Sequence, residues 1–299
     1  MELIEPGKRW AKPIVVIVAV VLIAGLLRAP QPPLTAPPDA LREPGAPAPL
    51  QGQFKAQVAP AVPPVRVEPA PLDGYQAVVV ADQLALYTRA GSYTAEQVQA
   101  LAAPIVEALA YVSTRTDMQL AAPVSVVFDH REHCGLDGAA YTQKRIIMLY
   151  ACPELPPRRA VNIIAHELVH QLAHDHYGPP HLQADVILSE GLATWGAGKY
   201  WLGSESDFRS FVQHNYATAL LPLDSDYRAI GTIDAMNRLY YQWASLVDFV
   251  LETRGRDVFD KLYRSGRGMA PNTADYGGVL GTDLVGLQPE WQVWLNNQP

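Results

Sequence analysis

Residues 158–174 are the segment that most limits which folds this chain can adopt. They carry apolar side chains at helical spacing without an intervening glycine or proline. Two prolines precede them and suit a first helical turn. The spacing predicts an amphipathic helix whose apolar stripe lies opposite His166 and His170. Histidines four residues apart share a helix face, so both imidazoles can bind one zinc ion. Glu167 lies beside them, where its carboxylate can take a proton from a metal-bound water.

A catalytic zinc keeps three protein ligands and one open position, and two residues compete for the third place. Glu190 lies in the segment 189–195, where Ser189 is predicted to cap a helix whose first turn holds Glu190. Small residues on that helix would let it approach the histidine helix closely. The rival is His176, but Ala173 stands where a glycine turn would be needed to return that histidine to the metal. We expect Glu190 to be the ligand and the nearby histidines to line the rim or face water: His174, His176 and His181.

The H-E-x-x-H segment, followed by the E-G-x-A stretch that begins at Glu190, resembles the gluzincin metallopeptidases. Thermolysin and the aminopeptidase-type enzymes belong to that group. The resemblance implies one zinc ion per chain, held by His166, His170 and Glu190, with Glu167 as the general base. With His176 as the third ligand, the chain would resemble a metzincin instead.

The resemblance covers roughly residues 74–297 and implies an architecture as well as a site. That architecture is α+β, a minimal zincin fold with a small mixed sheet over the zinc-binding helix and a mostly helical C-terminal lobe. Tyr240 and Tyr241 lie where gluzincins carry a donor to the oxygen of the attacked carbonyl, and the sequence leaves both open. The implied activity is the hydrolysis of peptide bonds.

Local patterns predict strands before the histidine helix and mostly helices after it, an order typical of α+β proteins. The predicted elements are strands at 75–80, 124–128 and 145–149, and a helix capped by Thr94 that runs to about Ser113. An extended peptide is expected to bind at an edge formed by residues 139–141 and the following strand, 144–149.

The first 29 residues are predicted to be a membrane segment. Basic residues precede an apolar run from Pro13 to Leu27, which favours an uncleaved signal anchor, with a cleaved signal peptide as the alternative. Those charges predict a cytoplasmic N-terminus. Residues 30–73 hold 13 of the 26 prolines and are predicted to be an extended tether. We therefore expect a single-pass protein of the inner or plasma membrane, with a catalytic domain, 74–299, on the periplasmic or extracytoplasmic side.

Cys134 and Cys152 flank the predicted edge region. Outside the cytoplasm such a pair favours a disulfide, and two buried free thiols are the alternative. The net charge of −7 disfavours nucleic acid as a partner of the globular part. The expected partners are a peptide or protein substrate and the membrane.

Together these features predict a membrane-tethered zinc peptidase. The alternative from another class is a peptide-binding or scaffolding protein that keeps the site without turnover. An intact Glu167 argues against it, because a purely structural zinc needs no base and usually takes a fourth protein ligand.

Overall fold

A mixed five-stranded sheet forms the first part of the fold in this computed structural model, which describes residues 72–132 and 134–297. The strands are β1 (Gln76–Val80), β2 (Leu84–Thr88), β3 (Val124–Asp129), β4 (Asp137–Tyr141) and β5 (Ile146–Tyr150). Their order is β1-β2-β3-β5-β4, in which β2, β3 and β5 are parallel and the two outer strands are antiparallel to their neighbours. The strands predicted at 75–80, 124–128 and 145–149 are confirmed.

The edge of the sheet differs from the prediction in one respect. Strand β4 is the outer strand and contains the predicted residues 139–141. The strand predicted to share that edge, at 144–149, is β5, and it lies inside the sheet between β3 and β4. The prediction was wrong there because chain order does not reveal that β5 inserts beside β3.

Helices make up most of the described chain beyond the sheet. They are α1 (Ala95–Thr116), α2 (Arg158–Tyr177), α3 (Val186–Ala197), α4 (Lys199–Leu202), α5 (Phe208–Tyr216), α6 (Ile233–Arg254), α7 (Arg256–Arg264), α8 (Tyr276–Leu280) and α9 (Leu284–Asn296). The strand-then-helix order confirms an α+β fold. Helix α1 begins as predicted, because the Thr94 side chain accepts from the Gln97 N–H and the Gln97 side chain accepts from the Thr94 N–H. It ends at Thr116, beyond the predicted end at about Ser113.

Helix α2 lies at the centre of the fold and is buried along almost its whole length. It packs against α1 and α3 and is covered by β4 and β5. The prediction of one apolar stripe opposite the two histidines is therefore too simple. The histidine side of α2 is covered as well, which places His166 and His170 inside the protein.

Helix α3 begins earlier than predicted. Asp185, not Ser189, is its N-cap, and the Asp185 carboxylate accepts from the Ile187 N–H. Glu190 consequently lies in the second turn rather than the first. The same carboxylate also accepts from the Thr273 and Ala274 N–H groups, so residues far along the chain fix where α3 starts.

The predicted membrane segment, 1–29, and nearly all of the predicted tether, 30–73, lie outside the described residues. Within the part that the structure describes, no helix has the length and apolar character needed to cross a membrane.

Candidate metal centre

Three buried side chains converge between α2 and α3. The Nε2 atoms of His166 and His170 lie 3.2 Å apart. The Oε2 atom of Glu190 lies 3.2 Å from Nε2 of His166 and 3.6 Å from Nε2 of His170. His166 and Glu190 have no exposed surface, and His170 is 5% exposed. The residues predicted as metal ligands are thus brought together.

The distances fit a divalent cation such as zinc. Bonds of about 2.0–2.1 Å to a tetrahedral zinc place neighbouring ligand atoms about 3.3 Å apart. The three separations in this cluster, 3.2, 3.2 and 3.6 Å, match that spacing. Two imidazole nitrogens that face each other and one carboxylate oxygen form a donor set suited to zinc, with a fourth position left for solvent or substrate.

Charge inside the cluster is concentrated on Glu190 and His170. Burial alone would raise the pKa of Glu190, but the positive charge on His170 and the hydrogen bonds with both histidines lower it to about 2. Burial lowers the pKa of His166. Burial also acts to lower the pKa of His170, but the negative charges of Glu190 and Glu167 outweigh it and raise that pKa. Glu190 therefore carries a negative charge that would attract a cation.

Glu167 lies beside the candidate ligands, and its carboxyl group is fully buried. Neither oxygen forms a regular hydrogen bond with a described residue. Burial raises the pKa of Glu167 to about 8, and both the positive charge on His170 and the nearby Ala140 N–H oppose that shift. A carboxyl group whose pKa lies near neutrality can both take up and release a proton, so the position of Glu167 suits a proton-transfer role.

Strand β4 approaches α2 at Gly138, opposite Glu167. A Cβ atom on Gly138 would clash with a methyl group of Ile163 and would lie 3.0 Å from Oε1 of Glu167. The glycine therefore lets the edge strand lie directly over the carboxylate. An extended chain that paired with β4 would pass beside the cluster.

The two candidate tyrosines occupy different environments. The ring of Tyr240 stacks on His166 at 6.1 Å between centroids, and its buried hydroxyl has no hydrogen-bond partner among the described residues. Burial raises the pKa of Tyr240 well above its usual value, with the charge on Glu190 acting in the same direction. Tyr240 is therefore a protonated donor beside the ligands.

Tyr241 lies away from this donor position. Its hydroxyl donates to the carbonyl oxygen of Trp201 at 2.9 Å, and its ring stacks on Phe211. Consecutive residues on a helix point about 100° apart, so only one of the two tyrosines faces the cluster. The geometry supports Tyr240 and gives Tyr241 a packing role.

His176 does not belong to the cluster. Its Nε2 atom lies 3.8 Å from Oδ2 of Asp260, and about a third of its side chain is exposed. Because α2 continues through Tyr177, the chain does not turn back toward the metal position after His170. The metzincin alternative is therefore wrong about the third ligand.

The predicted position of His181 was also wrong. The prediction put it at the rim or in water, but its side chain is 5% exposed and its ring lies 6.0 Å from that of His170. Its Nδ1 atom and the Tyr263 hydroxyl are 2.8 Å apart. Burial lowers the pKa of His181 to about 3, so the ring is neutral. Tyr263 is 82 residues away in the chain, and no local pattern links the two.

Small residues on α3 allow the close packing that positions Glu190. A Cβ atom on Gly191 would lie 2.7 Å from the Trp243 carbonyl oxygen, and one on Gly196 would lie 2.8 Å from a methyl group of Val169. The predicted small face thus contacts both α6 and α2. The Asp185 carboxylate fixes the start of the same helix, because it accepts hydrogen bonds from a backbone N–H of that helix and from two backbone N–H groups much later in the chain.

A disulfide links Cys134 to Cys152, as expected, with 5.6 Å between their Cα atoms. It joins the loop before β4 to the segment that leads from β5 into α2. Arg131 adds an ion pair with Asp137, the first residue of β4. Both links hold the start of the edge strand close to the metal centre.

Comparison with models of known protein families and with curated proteins gives no match to this chain.

Proposed function

We propose that this protein is a gluzincin-like, zinc-dependent peptidase. The observation that carries the proposal is the convergence of His166, His170 and Glu190 at zinc-ligand spacing beside a fully buried carboxylate, Glu167. A structural zinc site needs no such carboxylate and usually takes a fourth protein ligand.

Each residue of the site has a chemical task in this proposal. His166, His170 and Glu190 would hold the zinc ion, which would supply Lewis-acid chemistry to the peptide carbonyl and to water. Glu167 takes a proton from the attacking water and passes it to the leaving amine when the C–N bond breaks. The Tyr240 hydroxyl donates a hydrogen bond to the carbonyl oxygen as negative charge develops there. Strand β4 holds the substrate in extended form through backbone hydrogen bonds.

The proposal includes the location of the enzyme. The apolar run from Pro13 to Leu27 would anchor the chain in a membrane, and the proline-rich segment 30–73 would hold the catalytic domain on the extracytoplasmic side. The disulfide between Cys134 and Cys152 supports an oxidising compartment for that domain.

A Glu167→Gln variant tests the proposal directly. The substitution keeps size and shape but removes the base, so we expect kcat to fall about 10²- to 10⁴-fold. Zinc content measured on the same preparation should stay at the wild-type level, because Glu167 is not a ligand. A Glu252→Gln variant is the matched control, since Glu252 lies on α6 with a side chain that is 58% exposed.

Two results would overturn the proposal. Full peptide hydrolysis by the Glu167→Gln variant would remove the base from the mechanism. Peptide binding by the zinc-loaded wild type without any turnover would identify a binding or scaffolding protein instead.

A further inference from the structure

Arg228 is an exposed cation close to the proposed oxyanion donor. It lies in the segment between α5 and α6, and its Nε donates to the hydroxyl of Tyr227 at 3.2 Å. Within the described chain, the terminal nitrogens of its guanidinium donate to no protein acceptor. Those donors face solvent and are available to a ligand.

A continuous set of ring contacts connects Arg228 to the metal centre. The Tyr227 ring lies 5.9 Å from the Tyr240 ring, which stacks on the metal-ligand candidate His166. Tyr227 is 8% exposed and packs beside Tyr240, which is fully buried. The guanidinium carbon of Arg228 lies 5.3 Å from the Tyr227 ring centre. Its charge also acts on Tyr240, where it lowers the pKa against the larger effect of burial.

These contacts limit how far Arg228 can be from the bond that is cleaved. The two ring contacts of 5.9 and 5.3 Å together place the guanidinium no more than about 11 Å from the Tyr240 ring centre. An extended peptide advances about 3.3–3.6 Å per residue. A group bound by Arg228 therefore lies within a few residues of the carbonyl that Tyr240 contacts.

We propose that Arg228 binds a substrate carboxylate within a few residues of the scissile bond, so that the enzyme prefers peptides with a negative charge at that distance. The inference rests on the peptidase function proposed above and adds a substrate class to it. A guanidinium presents paired donors that match the two oxygens of a carboxylate. Tyr227 orients the guanidinium through Nε and leaves the terminal nitrogens for the substrate.

Three libraries of quenched fluorescent pentapeptides provide the test, with the full-length protein. The first has free C-terminal carboxylates, the second has C-terminal amides, and the third has amides with Asp or Glu in the last three positions. We expect kcat/KM for the first or third library to exceed that for the neutral amides by about 10- to 100-fold. The first library tests a terminal carboxylate and the third an acidic side chain, so the comparison identifies which of the two is bound.

Substitutions assign the preference to a residue. In Arg228→Gln the ratio between acidic and neutral peptides should fall to near one, whereas Arg228→Lys should keep part of it. Arg254→Gln is the control, because Arg254 pairs with Glu290 at the end of α6, and it should keep the wild-type ratio. Equal turnover of all three libraries by the wild type, or an acid preference that persists in Arg228→Gln, would overturn the inference.

A binding measurement separates this inference from the proposed function. Calorimetry on the zinc-loaded Glu167→Gln protein should give a lower Kd for the preferred acidic peptide than for its neutral amide. The added Arg228→Gln substitution should remove that difference. If the wild type cleaves no library, the peptidase proposal fails, and the calorimetric comparison still decides the role of Arg228. Equal Kd values for acid and amide would refute that role.

Discussion

Gly138 on the edge strand and Glu167 on α2 lie so close that a Cβ atom on Gly138 would come within 3.0 Å of the carboxylate. This close approach sets the distance between strand β4, which is proposed to bind the substrate, and Glu167, the proposed base. It is possible because Gly138 has no side chain.

A Gly138→Ala substitution is expected to push β4 away from α2, because the new methyl group would also clash with Ile163. Overpacking of this kind typically costs about 1–3 kcal/mol of stability. Denaturant unfolding should show that loss, and kcat/KM should fall as well. Gly277→Ala is the control, since a Cβ atom there meets nothing within 4 Å. Unchanged stability and activity in Gly138→Ala would show that the close approach is not required.

Substitutions of the two adjacent tyrosines should have different effects on kcat and on stability. Tyr240→Phe removes a hydroxyl that has no hydrogen-bond partner in the described chain, and kcat should fall about 10²- to 10³-fold with zinc retained. Tyr241→Phe removes the hydrogen bond to the Trp201 carbonyl and should cost about 1 kcal/mol of stability with little effect on kcat. Steady-state kinetics and unfolding of both variants provide the check. A larger kcat loss in Tyr241→Phe than in Tyr240→Phe would reverse the assignment.

Asp175 gives the fold a pH-dependent contribution to stability. Its carboxylate pairs with Arg145 at 2.6 Å and accepts from the Ala121 N–H at 2.8 Å. Burial alone would raise the pKa of Asp175, but these partners lower it below its usual value. The stabilisation is therefore fully present above the unfolded-state pKa of about 3.9 and is lost as the pH falls through the lower folded-state pKa.

Asp175→Asn should therefore lower the free energy of unfolding at pH 7 by about 1–3 kcal/mol, as expected when a hydrogen-bonded charge is removed. The gap to wild type should close as the pH falls below 4. Asp234→Asn is the control, because the Asp234 side chain is 75% exposed and its pairing with Arg238 should contribute little. A gap that stays constant down to pH 2 would contradict the role of the Asp175 charge.

The sequence predicted the candidate metal ligands well because helix periodicity is a local property. His166 and His170 share a face at any α-helical register, and the absence of glycine and proline fixed the helix around them. Glu190 was also predicted, although its helix begins at Val186 because Asp185 is held by Thr273 and Ala274. A contact between residues so far apart has no local signal.

Other features of the site depended on packing and could not be predicted. The choice between Tyr240 and Tyr241 depends on which ring reaches His166, and the register of α6 against α2 decides it. The burial of His181 depends on Tyr263, which belongs to α7. The position of β5 inside the sheet likewise required knowledge of which strands pair.

The central claim is that His166, His170 and Glu190 bind one zinc ion, and metal content tests it most directly. Elemental analysis of the full-length chain, purified without chelator, should find about one zinc per wild-type molecule. Glu190→Gln, which keeps the shape of the side chain but not its charge, should lose most of that zinc, whereas Tyr241→Phe should keep it. Wild-type protein without a transition metal, or a Glu190→Gln variant with full zinc content, would contradict the account.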